Sequence, residues 1–186
     1  PTARGAERTI AALEQADEAV LFASGMAAIV TSLFSLLPSG SHLLAMRSIY
    51  GGAYKFMRST LAEREVAVSF LDNDELDGFA DRITPATRVL YLESPINPTV
   101  TLVDLPALAQ RARARGLAVV VDSTFATPLG QQPLTCGADL VIHSVSKYLG
   151  GHSDIIGGVV AGSRERIAPI RDLARTLGGS PDPFAA

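Results

Sequence analysis

Residues 138–154 read ADLVIHSVSKYLGGHSD. The run Asp139-Leu140-Val141-Ile142 has the length and apolar character of a buried strand in an α/β protein. His143, hydroxyls at Ser144 and Ser146, and a single lysine, Lys147, follow it at once. The pair Gly150-Gly151 then lets the backbone turn tightly or approach a ligand closely. A lysine just past the carboxyl end of a buried strand, flanked by hydroxyls, suits a Schiff-base nucleophile beside a phosphate. Taken alone, the segment reads more plainly as a solvated loop, so the choice rests on what the other strand ends carry.

Working outward, strands and helices alternate. Strands are expected at Ala19–Phe22, His42–Met46, Glu65–Phe70, Arg88–Leu92, Leu117–Val121 and, beyond the lysine, Gly157–Ala161. Helices are expected at 6–15, at Gly25–Leu36 behind a Ser24 cap, at Tyr50–Ala62, at Asn73–Arg82 with Leu76 and Phe79 inward, at Leu105–Arg115 behind an Asp104 cap, and at Ser163–Leu177. The arginines at 111, 113 and 115 read as a solvated helix end. Strands with little polar alternation, separated by helices, predict one α/β domain whose mainly parallel sheet is covered on both faces.

Composition narrows the function. The chain has 186 residues, 47% of them hydrophobic, enough for one sizeable core. A net charge of −3 gives no basic footprint for nucleic acid. The single cysteine, Cys136, excludes an internal disulfide framework and a cysteine metal cluster, fits a reducing compartment, and is expected to pack as a small apolar residue. Residues 19–46 carry no Asp, Glu, Lys or Arg, but Ser24-Gly25 and Pro38-Ser39-Gly40-Ser41 break the run before it reaches a membrane-spanning length. His42, His143 and His152 lack ligand spacing, so no metal is expected, and His152 is assigned to shaping the glycine turn. No G-x-G-x-x-G follows a strand, which removes the nicotinamide-binding alternative.

Ligands of open α/β sheets sit outside the carboxyl ends of the strands, and this chain places a coherent set there. Ser24-Gly25-Met26 opens a helix whose N–H groups suit an anion, although an ordinary capped helix has the same sequence. Tyr50, beside Gly51-Gly52, is placed to stack on a planar ring or to pack at a turn. Asn97 sits between two prolines in a rigid loop. Asp122, ending an apolar run with Ser123 and Thr124 behind it, needs turn N–H groups or a protonated ring nitrogen as partners. With Lys147, these are the requirements of pyridoxal phosphate: a lysine for the Schiff base, a carboxylate at the pyridinium nitrogen, a stacking ring and an anion cradle.

The runs FASGMAAI (22–29), YGGAY (50–54), YLESPINPT (91–99), VVDSTFATP (120–128), PLTCGADLVIHSVSKYLGGHSD (133–154) and the final PDPFAA resemble, end to end, the Cys/Met-metabolism family of pyridoxal-phosphate enzymes, the cystathionine synthase and lyase group. The resemblance implies the large domain of fold-type I enzymes, a mostly parallel seven-stranded sheet with one antiparallel strand. It implies Lys147 as the Schiff-base lysine, Asp122 at the pyridine nitrogen with Thr124 beside it, and Tyr50 on the ring and available for proton transfer. It also implies Gly25 and Met26 N–H groups and the Ser144 and Ser146 hydroxyls at the phosphate, and Asn97 near the phenolic oxygen. The implied activity is β- or γ-elimination or replacement on sulfur amino acids or O-acylhomoserine, in a cytoplasmic homo-oligomer, dimer or tetramer.

Departures from the family pattern are Ser123 for asparagine, Val145-Ser146 for alanine-threonine, and Gly52 where methionine γ-lyases carry cysteine. The start at Pro1, without methionine, predicts a fragment or processed product. Residues 1–186 are then the cofactor-binding domain without the family's N-terminal arm and C-terminal domain. The alternative expectation is accordingly a piece that folds, binds cofactor or associates without turnover.

Overall fold

The computed structural model describes residues 2–186. In chain order its elements are α1 (Thr2–Leu13), β1 (Glu18–Phe22), α2 (Gly25–Leu36), β2 (His42–Met46), α3 (Gly51–Lys55), a π turn at Phe56–Thr60, α4 (Leu61–Glu63), β3 (Ala67–Leu71), a 3-10 helix at Asn73–Arg82, β4 (Thr87–Glu93), α5 (Leu105–Arg113), β5 (Ala118–Asp122), α6 (Thr127–Gly130), β6 (Leu140–Ser144), a π turn at Val145–Leu149, β7 (Gly158–Gly162) and α7 (Arg164–Leu177). The seven strands form one sheet in the order β1-β7-β6-β5-β4-β2-β3. β7 runs antiparallel to both of its neighbours, and the remaining pairs are parallel.

Side chains alternate across each strand, so the sheet has two apolar faces. Leu43, Ala45, Val89, Tyr91, Val120, Leu140, Ile142 and Val160 pack against α2, the α3 segment and α7. Leu44, Met46, Leu90, Leu92, Val119 and Val121 pack against α5 and the 3-10 helix, and Val141, Val159 and Ala161 against α1. Helices therefore cover both faces, as the uninterrupted apolar strands require.

Local chemistry sets the element ends. Ser24 accepts the Ala27 N–H at 3.1 Å to start α2, Asp104 accepts that of Ala107 at 3.1 Å to start α5, and Ser163 that of Arg166 at 3.3 Å to start α7. Asp72 and Glu75 close a reciprocal capping box at the 3-10 helix, and Leu76 and Phe79 are buried there.

Several expectations shift. The first helix ends at Leu13, because Gln15 has a φ of 55°. Glu65, with a φ of 61°, cannot open β3, which starts at Ala67. α5 ends at Arg113, and its arginines are engaged: Arg111 lies over the Phe79 ring at 5.1 Å and Arg113 donates to the Gly137 carbonyl at 3.0 Å. The helix expected at Tyr50–Ala62 is interrupted by a π turn. The lysine segment, to which the sequence assigns no helix, is a helical turn broken at Lys147. Cys136 packs partly buried against the α5-side core, as expected.

Candidate active site

Strand register brings the site together. Glu93 pairs with Asp122, and Asp122 with Ile142, two residues before Ser144. Alternation puts Glu93, Asp122 and Ser144 on the face covered by α2.

The start of α2 forms one wall. Among the described residues the Gly25 and Met26 N–H groups have no partner within the chain, as at any helix N-terminus. Close approach depends on two glycines. A Cβ on Gly25 would lie 3.0 Å from Ser144 Cβ, and one on Gly158 only 2.2 Å from the Ser24 carbonyl oxygen. Bare backbone is what lets the helix start rest on β6 and β7.

Asp122 forms the floor and is buried. Its Oδ1 accepts the Thr124 N–H at 3.0 Å and the Thr124 hydroxyl at 2.6 Å, and Thr124 Oγ1 accepts the Ser144 N–H at 2.8 Å. This relay links the ends of β5 and β6, while Oδ2 accepts no hydrogen bond among the described residues. Burial raises the Asp122 pKa, and the two Thr124 hydrogen bonds and the nearby His143 pull it back. His143 projects to the other face of β6, where Nε2 lies 2.6 Å from Glu14 Oε1, both side chains fully buried. Ser123 is buried, and its hydroxyl accepts from Gln131, which also binds the Ser94 carbonyl.

Tyr50 stands on the opposite side, 58% exposed at the start of α3. Its ring folds over Gly52, where an added Cβ would come 2.5 Å from Tyr50 Cε1 and 3.2 Å from Met26 Sδ. Its N–H donates to Glu93 Oε2 at 2.7 Å. Asn97 is exposed, and its backbone N–H faces the same carboxylate. Burial, and then the charge of Asp122, raise Glu93 to about 7 against the pull of those two N–H groups. Tyr91 is fully buried; its hydroxyl faces Asp122 without a hydrogen bond of good geometry among the described residues, and burial and both carboxylates push it well up.

Lys147 is exposed in the turn that follows β6, and its carbonyl accepts the Gly151 N–H at 2.9 Å. Ser146 Oγ accepts the Gly157 N–H at 3.0 Å and faces the Gly157 carbonyl at 3.3 Å. That hydroxyl is thus engaged within the chain, where the sequence suggested a free donor. Its rotor can still turn the proton outward while it accepts from Gly157. The Ser144 hydroxyl makes no such contact and lies against Gly25.

The candidate site residues Ser24, Gly25, Met26, Tyr50, Asn97, Asp122, Thr124, Ser144, Ser146 and Lys147 thus all lie at carboxyl ends of strands or in the turns that follow them. His152 Nδ1 is 3.3 Å from the Gly150 carbonyl. His42 is held by Thr87 and Ser69, with its pKa lowered by burial. No group of three metal-ligating side chains occurs among the described residues. Glu93 was missed, although it ends the apolar run of β4 as Asp122 ends that of β5, and the same reasoning would have found it.

The family model described as "Cys/Met metabolism PLP-dependent enzyme" matches residues 1–186. The chain belongs to this family. It is 37% identical to a probable cystathionine gamma-synthase of Herpetosiphon aurantiacus, over 99% of this chain and 58% of that protein. It is 41% identical to the O-succinylhomoserine sulfhydrylase of Pseudomonas aeruginosa, over 100% and 46%. The crystal structure of metB from Corynebacterium glutamicum superposes with a TM-score of 0.95 at 33% identity, covering 100% of this chain and 48% of that one. The chain spans about half the length of the curated relatives it matches.

The site fits the family's cofactor, pyridoxal phosphate. A buried carboxylate with a raised pKa and one oxygen free of hydrogen bonds is matched by a protonated ring nitrogen. Two unpartnered N–H groups at the start of α2, beside the Ser144 hydroxyl, match a phosphate.

Proposed function

We propose that residues 1–186 act as the pyridoxal-phosphate-binding large domain of an enzyme that carries out β- or γ-elimination or γ-replacement on sulfur amino acids or O-acylhomoserine. The observation that carries this reading is the convergence of Asp122, Thr124, Ser144 and Gly25 beside the turn that bears Lys147. Bound there, pyridoxal phosphate would supply an electron sink for a carbanion at the substrate's α-carbon. Lys147 Nζ would be the amine that holds the cofactor and, when free, would move protons as a general base. Asp122 would hold a proton on the ring nitrogen. Ser24, as the α2 cap, aims the Gly25 and Met26 N–H groups at the phosphate, where Ser144 and Ser146 add hydroxyls. Tyr50 would stack on the ring and assist proton transfer, and Asn97 would lie near the phenolic oxygen.

The names of the relatives support the substrate class, since they include cystathionine gamma-lyases, L-methionine gamma-lyases and an O-succinylhomoserine sulfhydrylase. A cytoplasmic homo-oligomer belongs to the same reading; among the described residues no helix is long and apolar enough to cross a membrane. A second reading, cofactor binding or association without turnover, is favoured by one fact: the chain spans about half of its relatives.

Titration of the purified chain with pyridoxal phosphate, beside Lys147→Ala, tests the assignment. The parent is expected to gain a visible absorbance band that borohydride fixes onto Lys147, and the variant to show none. A folded parent without the band would sink the proposal. Ketoacid release from cystathionine or methionine, and sulfide-dependent consumption of O-succinylhomoserine, then separate turnover from binding alone.

A further inference from the structure

Glu93 has no role in the cofactor reading, yet it meets Tyr50, the Asn97 loop and Asp122 at once. It ends β4 directly opposite Asp122 in the register and is 8% exposed. Its Oε2 takes the N–H of Tyr50 at 2.7 Å, at the residue that begins α3, and the Asn97 N–H faces the same group. Its own N–H lies 3.4 Å from Met46 Sδ of β2. The titratable groups that face it are Asp122 from β5 and Tyr91 from its own strand, whereas Tyr50, the residue before α3, meets it through its backbone N–H.

We propose that Glu93 is a positioning residue whose carboxylate fixes the Tyr50 backbone, and with it the aromatic ring, relative to the Asn97 loop. Tyr50 is largely exposed and the N-cap of α3 has no side-chain hydrogen bond, so this buried anion is the tether that places the ring. A charge-assisted bond to a carboxylate is stronger than one to a neutral acceptor, and the grip depends on Glu93 being ionised. With the raised pKa, the grip loosens as pH falls through about 7. The use of this placement for cofactor stacking rests on the cofactor reading above, whereas the placement itself does not.

Two backbone amides report the two carboxylates separately: Tyr50 for Glu93, and Thr124 for Asp122. In ¹⁵N-labelled chain without cofactor, the Tyr50 amide resonance is expected to titrate with a midpoint near 7, with Asn97 following it. In Glu93→Gln that titration disappears while the Thr124 amide still responds. Amide exchange at Tyr50 speeds up in Glu93→Ala and is partly restored in Glu93→Gln. Pyridoxal phosphate binding weakens by roughly tenfold in Glu93→Ala and less in Glu93→Gln. A Tyr50 amide that does not titrate, or that keeps its titration in Glu93→Gln, overturns the proposal. A titrating Tyr50 amide in a chain that forms no Lys147-dependent band sustains the Glu93 assignment and overturns the cofactor reading instead.

Discussion

Gly158 leaves no room for a side chain. The Ser24 carbonyl oxygen would sit 2.2 Å from an added Cβ, the Ser24 carbonyl carbon 2.6 Å and Gly25 Cα 2.7 Å, all of them backbone atoms that no rotamer change can move. Gly158→Ala is therefore expected to force β7 away from the start of α2 and to cost about 3 kcal/mol. Chemical denaturation of the chain checks this, with a lower midpoint at an unchanged slope. Gly5, with nothing within 4 Å of its added Cβ, is the control and should tolerate alanine. Gly52 is crowded in another way, since the nearest atom belongs to the swinging Tyr50 ring. A cysteine there, as the sequence pattern of methionine γ-lyases suggests, requires the ring to move aside.

At the scale of single elements, α2 has the same bounds in sequence and structure, and the reason is local: Ser24 caps it and Pro38 and Gly40 follow it. β2 is legible for a similar reason, the apolar run Leu43–Met46 behind His42 and before Arg47. What sequence could not give was any contact made across the sheet. The engagement of Arg111 with Phe79 joins elements far apart in the chain. So does the relay from Ser144 to Thr124 to Asp122, although each of its residues had been singled out. The buried Glu14–His143 pair was hidden because Glu14 reads as an ordinary exposed helix-end residue until β6 is laid over it. Ser24→Ala removes the α2 cap and should cost about 1 kcal/mol, seen as a fall in Tm of about 2–4 °C. It should also weaken pyridoxal phosphate binding if α2 holds the phosphate. Lost stability with unchanged binding would place the phosphate elsewhere.

For the molecule as a whole, two adjacent carboxylates with raised pKa make stability depend on pH. Glu93 moves from the usual 4.5 to about 7 in the fold. Between these values the folded chain keeps a proton that the unfolded chain releases, so Glu93 lowers stability progressively as pH rises through that window, and the loss levels off above 7. At about 1.4 kcal/mol per pKa step the full effect is about 3 kcal/mol. Glu93→Gln is thus expected to be more stable than the parent at pH 8, with the advantage vanishing towards pH 4.5. Denaturation curves at the two pH values check it; equal effects at both would mean that Glu93 is not carrying a buried charge. The same substitution should loosen Tyr50, so stability and site order would change in opposite directions, a common trade at functional sites.

The reversed direction of β7 has a dynamic consequence. Parallel neighbours require a return crossover, commonly a helix that packs on the sheet, and such a connection moves only with the core. Because β7 runs back beside β6, residues 145–157 need no crossover helix packed on the sheet. Their apolar side chains Val145, Leu149 and Ile155 pack on the α1-side core, and Ser146 with Gly157 and the edge-on rings of Phe125 and Tyr148 add further tethers. The exposed residues of the segment, Lys147 and Gly151–Asp154 among them, can therefore adjust on the nanosecond-to-microsecond scale of loops while the strands and the packed Val145 stay fixed, so that under the proposed reading the amine rides on the part of the chain where repositioning disturbs the least.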